Sequence, residues 1–230
     1  MLKFVKKSNN SKNNSILILV IGFLLVIGVI LLTVFLPLLF KIETPKIPSI
    51  DFSKHDILRF EDDDRGFNND SEIQFVYFSD FKCPYCIEQY PTIKKIIENY
   101  PNINFIHKNM VSPSDAIAFY ASKAFECSNK QGLGYEMMDY LYTNEYKGID
   151  IDKYAENIGI DIEIYKNCTS SEKIDRLIVA DGNQGSFLEV KGTPTIFING
   201  IKIEGIHDYD VYAAFLEQEI SRLKKNKEKI

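Results

Sequence analysis

Two cysteines separated by two residues, in Cys83-Pro84-Tyr85-Cys86, are the residues of this chain best suited to do chemistry. They follow an apolar run, Ile73 to Phe78, and precede a helical pattern from Ile87 to Tyr100. A strand, a short turn and two thiols at a helix start form a redox arrangement. The thiolate is the reactive species, and the positive end of a helix dipole with its free N–H groups stabilises that anion. The pair can close reversibly into a disulfide and so pass two electrons to or from a partner. Cys83, at the exposed helix start, is the expected attacking thiol. Cys86, one turn inside, is the expected resolving thiol. Lys82 either adds positive charge beside Cys83 or is simply solvated. Pro84 removes an N–H that has no intrahelical partner, and Tyr85 flanks the sulfur. Asp80, three residues before Cys83, offers a helix cap, plain turn chemistry or a proton-transfer group.

The competing chemistry is a zinc site. A zinc ribbon would carry a second CxxC or a paired His/Cys motif. Here Cys127 and Cys168 stand alone, and His55, His107 and His207 show no ligand spacing. No metal and no organic cofactor is expected, because the redox group is the Cys83–Cys86 pair itself.

Far along the chain, Gly192-Thr193-Pro194-Thr195-Ile196-Phe197-Ile198-Asn199-Gly200 reads as a tight turn, a short apolar strand and a hairpin turn. A proline just before a strand is allowed, as an ordinary trans bond or as a cis bond at the turn. The stretch Phe78-Ser79-Asp80-Phe81-Lys82-Cys83-Pro84-Tyr85-Cys86, with Gly192-Thr193-Pro194-Thr195, resembles the thioredoxin superfamily, and more closely the DsbA-like thiol:disulfide oxidoreductases. The resemblance covers roughly Asp62 to the last helix. It implies an α/β thioredoxin fold with an inserted helical domain, and Thr193-Pro194 beside the CxxC. A cis-proline there leaves backbone groups free to pair with an extended substrate. Prototypical DsbA oxidases have histidine where this chain has Tyr85. The CPYC sequence with threonine before the proline also resembles the DsbG-type proteins. Their separate N-terminal dimerisation domain has no counterpart in the short, polar 41–72 segment. Glutaredoxins share CPYC but fit poorly with a long insertion and an anchor.

Strands are expected at 73–78, 103–109, 195–199 and 201–204. The first two flank the CxxC helix, and the last two close a hairpin around Asn199-Gly200. Ser112-Pro113-Ser114-Asp115 reads as a helix start with Ser112 as N-cap. Further helices are expected at 135–143, 151–158, 162–168, 171–189 and 209–226, and no strand pattern interrupts 112–190. Cys127 and Cys168 each fall in a helix of that block. In an oxidising compartment two leftover cysteines are expected to pair; two separate buried thiols are the alternative.

The N-terminal part reads differently. Residues 16–40 are an almost unbroken apolar run, interrupted only by Gly22, Gly28, Thr33 and Pro37. About 20 apolar residues cross the hydrocarbon core as a helix, so a transmembrane anchor is expected. A cleaved signal peptide would have a shorter run and a small-residue cleavage motif. Lys3, Lys6, Lys7 and Lys12 precede the run with no acid among them, which keeps that flank in the cytoplasm. The expected order is a basic tail at 1–15, an anchor at 16–40 and a linker at 41–72. The core's first half follows at 73–111, the helical insertion at 112–190, and the second half at 191–230. The linker's acidic run, Glu61 to Asp64, suits a solvated tether better than a calcium loop.

These features imply a single-pass membrane protein whose catalytic domain faces the periplasm or another extracytoplasmic space. Its expected activity is disulfide formation in secreted or periplasmic proteins by exchange at Cys83/Cys86, with a membrane redox partner that resets the pair. The alternatives are a reductase or isomerase of DsbG-like type, and a non-catalytic binding module on a thioredoxin fold. Retention of both cysteines argues against the last. The net charge of −5 argues against nucleic acid as a partner.

Overall fold

The computed structural model describes residues 22–25, 27–29, 65–144 and 150–228. The chain divides into two units, Met1–Lys46 and Ile47–Ile230. In the first, residues 22–25 and 27–29 are helical. Among the described residues no helix is long and apolar enough to cross a membrane. The basic tail, the rest of the expected 16–40 anchor and residues 41–64 of the expected linker lie outside the described residues.

In the second unit, alternation decides the sheet. Along β1 (Gln74–Ser79), Phe75 and Tyr77 join one apolar cluster while Val76 and Phe78 join another, as expected of a strand buried on both faces. β2 (Asn104–Asn109) pairs parallel to β1, with Phe75 opposite Phe105. The connection between them is α1 (Pro84–Asn99), the crossover that a parallel pair requires. β3 (Thr195–Ile198) lies antiparallel on the other side of β1, and β4 (Ile201–Glu204) antiparallel to β3, giving the order β2-β1-β3-β4. Asn199 and Gly200 both have positive φ, 46° and 86°, as a two-residue hairpin turn demands. The Asn199 side chain accepts from the Gln74 N–H at 2.8 Å and donates to Glu219 at 2.7 Å, tying the hairpin to β1 and to α7 (Tyr209–Lys227).

Among the described residues, five helices lie between β2 and β3. They are α2 (Ala116–Asn129), α3 (Gly134–Thr143), α4 (Ile151–Asn157), α5 (Ile162–Thr169) and α6 (Glu172–Phe187). Phe125, Met137, Met138, Leu141 and Tyr142 of this block share one continuous core with Phe75, Tyr77, Cys86, Tyr90 and Tyr212. The hinge of that core is Phe81, fully buried between β1 and α1. Its ring stacks on His107 (4.6 Å between centroids) and meets Tyr142 (4.8 Å) and Phe125 (5.5 Å). Val76, Phe78, Ile106 and Phe197 form the smaller cluster on the opposite face, with Met110 and Leu188 against it. There the backbone of Gly185 comes close enough that a Cβ would lie 2.4 Å from the Met110 sulfur, so any larger residue would force the Met110 side chain to move.

Two local expectations change. Ser112 does not cap α2. It accepts the Asp115 N–H in a turn (3.0 Å), and Asp115 caps the helix by accepting from Ala118 N–H (3.2 Å). A carboxylate is the stronger anchor at the positive end of a helix dipole. The expected linker also ends in residues that touch the core. Phe67 N–H donates to the Phe105 carbonyl on the outer edge of β2 (3.0 Å). Beside it the Arg65 guanidinium pairs with Glu126 (2.9 Å) and Asp181 (2.7 Å), and Lys108 with Asp181 (3.3 Å). Burial pushes the Asp181 carboxyl up, but Arg65, Lys108 and the Asn109 N–H outweigh it and hold it below the usual range.

Cys127 and Cys168 are joined by a disulfide, Cα atoms 5.8 Å apart, closing a loop of 41 positions across α2 and α5. Loop-closure entropy gives such a crosslink roughly 3–4 kcal/mol. Because Phe81 joins sheet and insertion, Phe81→Ala is expected to cost about 3–5 kcal/mol, read as a lowered midpoint in urea unfolding.

Candidate active site

Cys83 is the N-cap residue of α1 (φ −69°, ψ 123°), the position normally taken by a side-chain oxygen that accepts from the first turn. Here the acceptor is sulfur. Its carbonyl receives the N–H groups of Cys86 and Ile87, both at 3.0 Å, and its own N–H donates to the Asp80 carbonyl at 3.0 Å. Pro84 opens the helix, which therefore includes Tyr85 and Cys86 in its first turn. Both thiols are free; Cys83 is half-buried and Cys86 is 0% exposed.

Their environments pull the two thiols apart. The Cys83 thiol is lowered from 9.0 to about 5, first by the hydrogen bond it receives from the Cys86 thiol. Partial burial opposes this, and a hydrogen bond from Thr193 and the N–H groups of Cys86 and Tyr85 assist. Cys86 is pushed strongly up, first by burial and then by its bond to the Cys83 sulfur. The Thr193 carbonyl accepts from the Cys83 thiol at 3.5 Å, so the reactive sulfur sits between α1 and the Thr193–Pro194 turn. The Thr193–Pro194 bond is cis. The structure thus brings Cys83, Cys86, Thr193 and Pro194 together, and sets Cys127–Cys168 apart in the helical block.

The remaining candidates sort by contact. Lys82 turns to Asp115 (2.8 Å), an exposed pair between the active-site turn and the start of α2. Asp80 does turn chemistry: its carboxylate accepts the Lys82 N–H at 2.8 Å, and α1 has no side-chain cap. Burial, then the Cys83 charge, raises its pKa. Tyr85 is 60% exposed beside the reactive sulfur. His207 Nε2 donates to the Glu204 carbonyl (2.9 Å) in the loop after β4.

Sequence reasoning missed two groups near the site. Behind the turn, Ser79 Oγ lies 2.7 Å from both His107 Nε2 and the Tyr142 hydroxyl, and burial holds His107 neutral, its pKa down to about 3. Gln89 of α1 is buried and bonds to both backbone groups of His207, at 2.7 and 3.0 Å. A polar residue at a core position of the 86, 89, 90, 93, 96 pattern was the readable signal for Gln89.

A family model described as Thioredoxin matches residues 68–218. Among solved structures, the thiol-disulfide exchange protein alpha-DsbA2 from Wolbachia pipientis superposes with a TM-score of 0.56 at 23% identity. That match covers 68% of this chain and 84% of that one. Oxidised BdbD from Bacillus subtilis gives 0.56 at 22%, covering 67% and 90%. At these identities the likeness is one of fold. The Na(+)/H(+) antiporter NhaA 3 of Salinispora tropica is 25% identical over 148 residues, 63% of this chain and 23% of that protein. The chain spans less than a quarter of the length of that curated relative.

The reduced protein should show a thiolate absorbance titrating near pH 5, set by Cys83. In Cys86→Ala the midpoint should rise, because the first donor to that sulfur is gone. In Lys82→Met it should barely move, because Lys82 is engaged by Asp115. Stability should follow. From about pH 5 to 9 an unfolded Cys83 holds a proton that the folded one has lost, so the reduced form gains stability as pH rises through that window. Above 9 the unfolded Cys86 ionises while the folded one stays protonated, and stability falls. The oxidised protein, in which neither thiol titrates, is the reference for both limbs.

Proposed function

We propose, for a chain that belongs to the thioredoxin family and shares the fold of DsbA-type thiol-disulfide exchange proteins, that Cys83 and Cys86 oxidise cysteine pairs in polypeptides outside the cytoplasm. The observation that carries this reading is the cysteine pair at the start of α1, Cys83 held as an anion and Cys86 buried and protonated. A thiolate that is stable at neutral pH is a good leaving group and stabilises the reduced form, which makes the disulfide form an oxidant.

The exchange follows from that asymmetry. A client thiolate attacks the Cys83 sulfur of the Cys83–Cys86 disulfide, and the bond to Cys86 breaks. Cys86 leaves as a thiolate and takes up a proton. The client's second thiolate then attacks its own sulfur in the mixed disulfide, and Cys83 departs as an anion. Two electrons have passed from the client to the cysteine pair, and the client carries a new disulfide. A membrane-bound redox partner accepts those electrons and restores the pair. The reaction needs no metal or organic cofactor. The apolar run 16–40, with its basic N-terminal flank, supports a single-pass anchor that leaves the catalytic domain on the extracytoplasmic side. Ion exchange is not carried over from the antiporter relative, since the match spans only 23% of that protein.

Equilibration of the reduced and oxidised domain in a glutathione series tests the direction: a potential more oxidising than glutathione supports the oxidase, and a thioredoxin-like reducing one overturns it. Cys86→Ala should accumulate mixed disulfides with clients on Cys83, and Cys83→Ala should trap none. Membrane fractionation with mass spectrometry of the mature N-terminus tests the anchor; a terminus near residue 40 would remove it.

A further inference from the structure

Gln89 stands where the helix pattern calls for an apolar side chain. It is 1% exposed on the core face of α1, between Cys86 and Ile93. A buried carboxamide costs free energy unless its groups are bonded. Both are bonded to one residue of the loop between β4 and α7: Oε1 accepts the His207 N–H at 2.7 Å, and Nε2 donates to the His207 carbonyl at 3.0 Å. The side chain grips that peptide as a neighbouring strand would. Two residues earlier, the Gly205 N–H donates to the Pro194 carbonyl at 2.9 Å. Between these two attachments sits Ile206, an apolar residue left 40% exposed. Pro194 follows Thr193, whose carbonyl faces the Cys83 sulfur. One helix therefore bears the reactive sulfur at its tip and, two turns in, the grip on the loop that borders Thr193–Pro194.

We propose that Gln89 is a positioning residue that fixes Ile206 beside Thr193–Pro194 as a contact for an apolar residue flanking the reacting cysteine of a polypeptide client. This rests on the oxidoreductase reading above and adds a recognition element to it. Gly205 ties the loop to the Pro194 carbonyl and His207 Nε2 ties it to Glu204; the two bonds from Gln89 add its backbone tie to α1 before a client arrives, which lowers the ordering cost of binding. The Gln89 carboxamide bonds to the His207 backbone and not to either sulfur, so its effect is on client capture and not on thiol chemistry.

The test is oxidation of a synthetic peptide carrying two cysteines, one followed by leucine, with glutathione disulfide as terminal oxidant. Gln89→Met keeps the volume and loses both hydrogen bonds. The expected result is a KM raised by about tenfold with kcat and the thiolate titration of Cys83 unchanged. In an Ile206→Ala background, which raises KM by itself, Gln89→Met should add less than about twofold, because the two act as one unit. An unchanged KM, or equal losses in kcat and in the titration midpoint, overturns the proposal. Should Gln89→Met fail to fold, two measurements still decide. Ile206→Ala with an unchanged KM overturns it, and so does fast amide exchange at His207 in the unaltered protein; a raised KM and a protected amide support it. If the unaltered protein oxidises no thiol at all, the oxidoreductase reading has failed instead.

Discussion

One sulfur atom at the N-cap of α1 organises this molecule. The cap position is where a helix presents unsatisfied N–H groups and the positive end of its dipole, and proteins usually fill it with an oxygen. Cys83 fills it with a group that can also form and break a covalent bond. Everything that makes the anion comfortable follows: the thiol of Cys86 pointing back from one turn inside, the first-turn N–H groups, and a turn at Asp80 whose carbonyl fixes the Cys83 backbone. Burial of Cys86 is the complement. The helix can direct both sulfurs toward each other only because Tyr90, Ile93 and Ile96 seat its core face against β1. The difference in acidity between the two thiols is therefore a product of packing as much as of local charge.

The packing is shared between the sheet and the helical block. Phe81 and Tyr142 belong to different halves of the chain yet meet behind the active-site turn, with Ser79 and His107 supplying the polar seam. Burial of a neutral histidine in that seam is tolerable because Nε2 has a hydroxyl partner and the ring stacks on Phe81. On the opposite sheet face, Gly185 lets α6 approach Met110 and Phe78. The site is thus held from behind by two clusters, one on each side of β1.

Much of this arrangement was legible in the chain. The order of strand, CxxC and helix could be read because the pattern changes from an apolar strand run to a helical spacing across Cys83–Cys86. The helical block could be read because no strand pattern breaks it. Boundaries slipped where two side chains compete for one role, as at Ser112 and Asp115. The Arg65 ion pairs had no local signature at all: their partners lie 61 and 116 positions away, and a charged residue in a polar segment looks like a tether. Gln89 was different, since a lone amide on an apolar helix face is visible in one dimension; only its partner is not.

The attachment of residues 65–68 to β2 bears on the proposed encounter with polypeptide clients. A bare sheet edge offers a row of open donors and acceptors to any extended segment, and such pairing propagates into aggregates. Here Phe67 takes up the Phe105 carbonyl on one edge, and the other edge, β4, is four residues long and bears Lys202 and Glu204. In the proposed function, a client strand is discouraged from both flanks and left to engage near the sulfur, so the backbone chemistry that would make the domain sticky is confined to the place where contact is brief and ends in a covalent exchange.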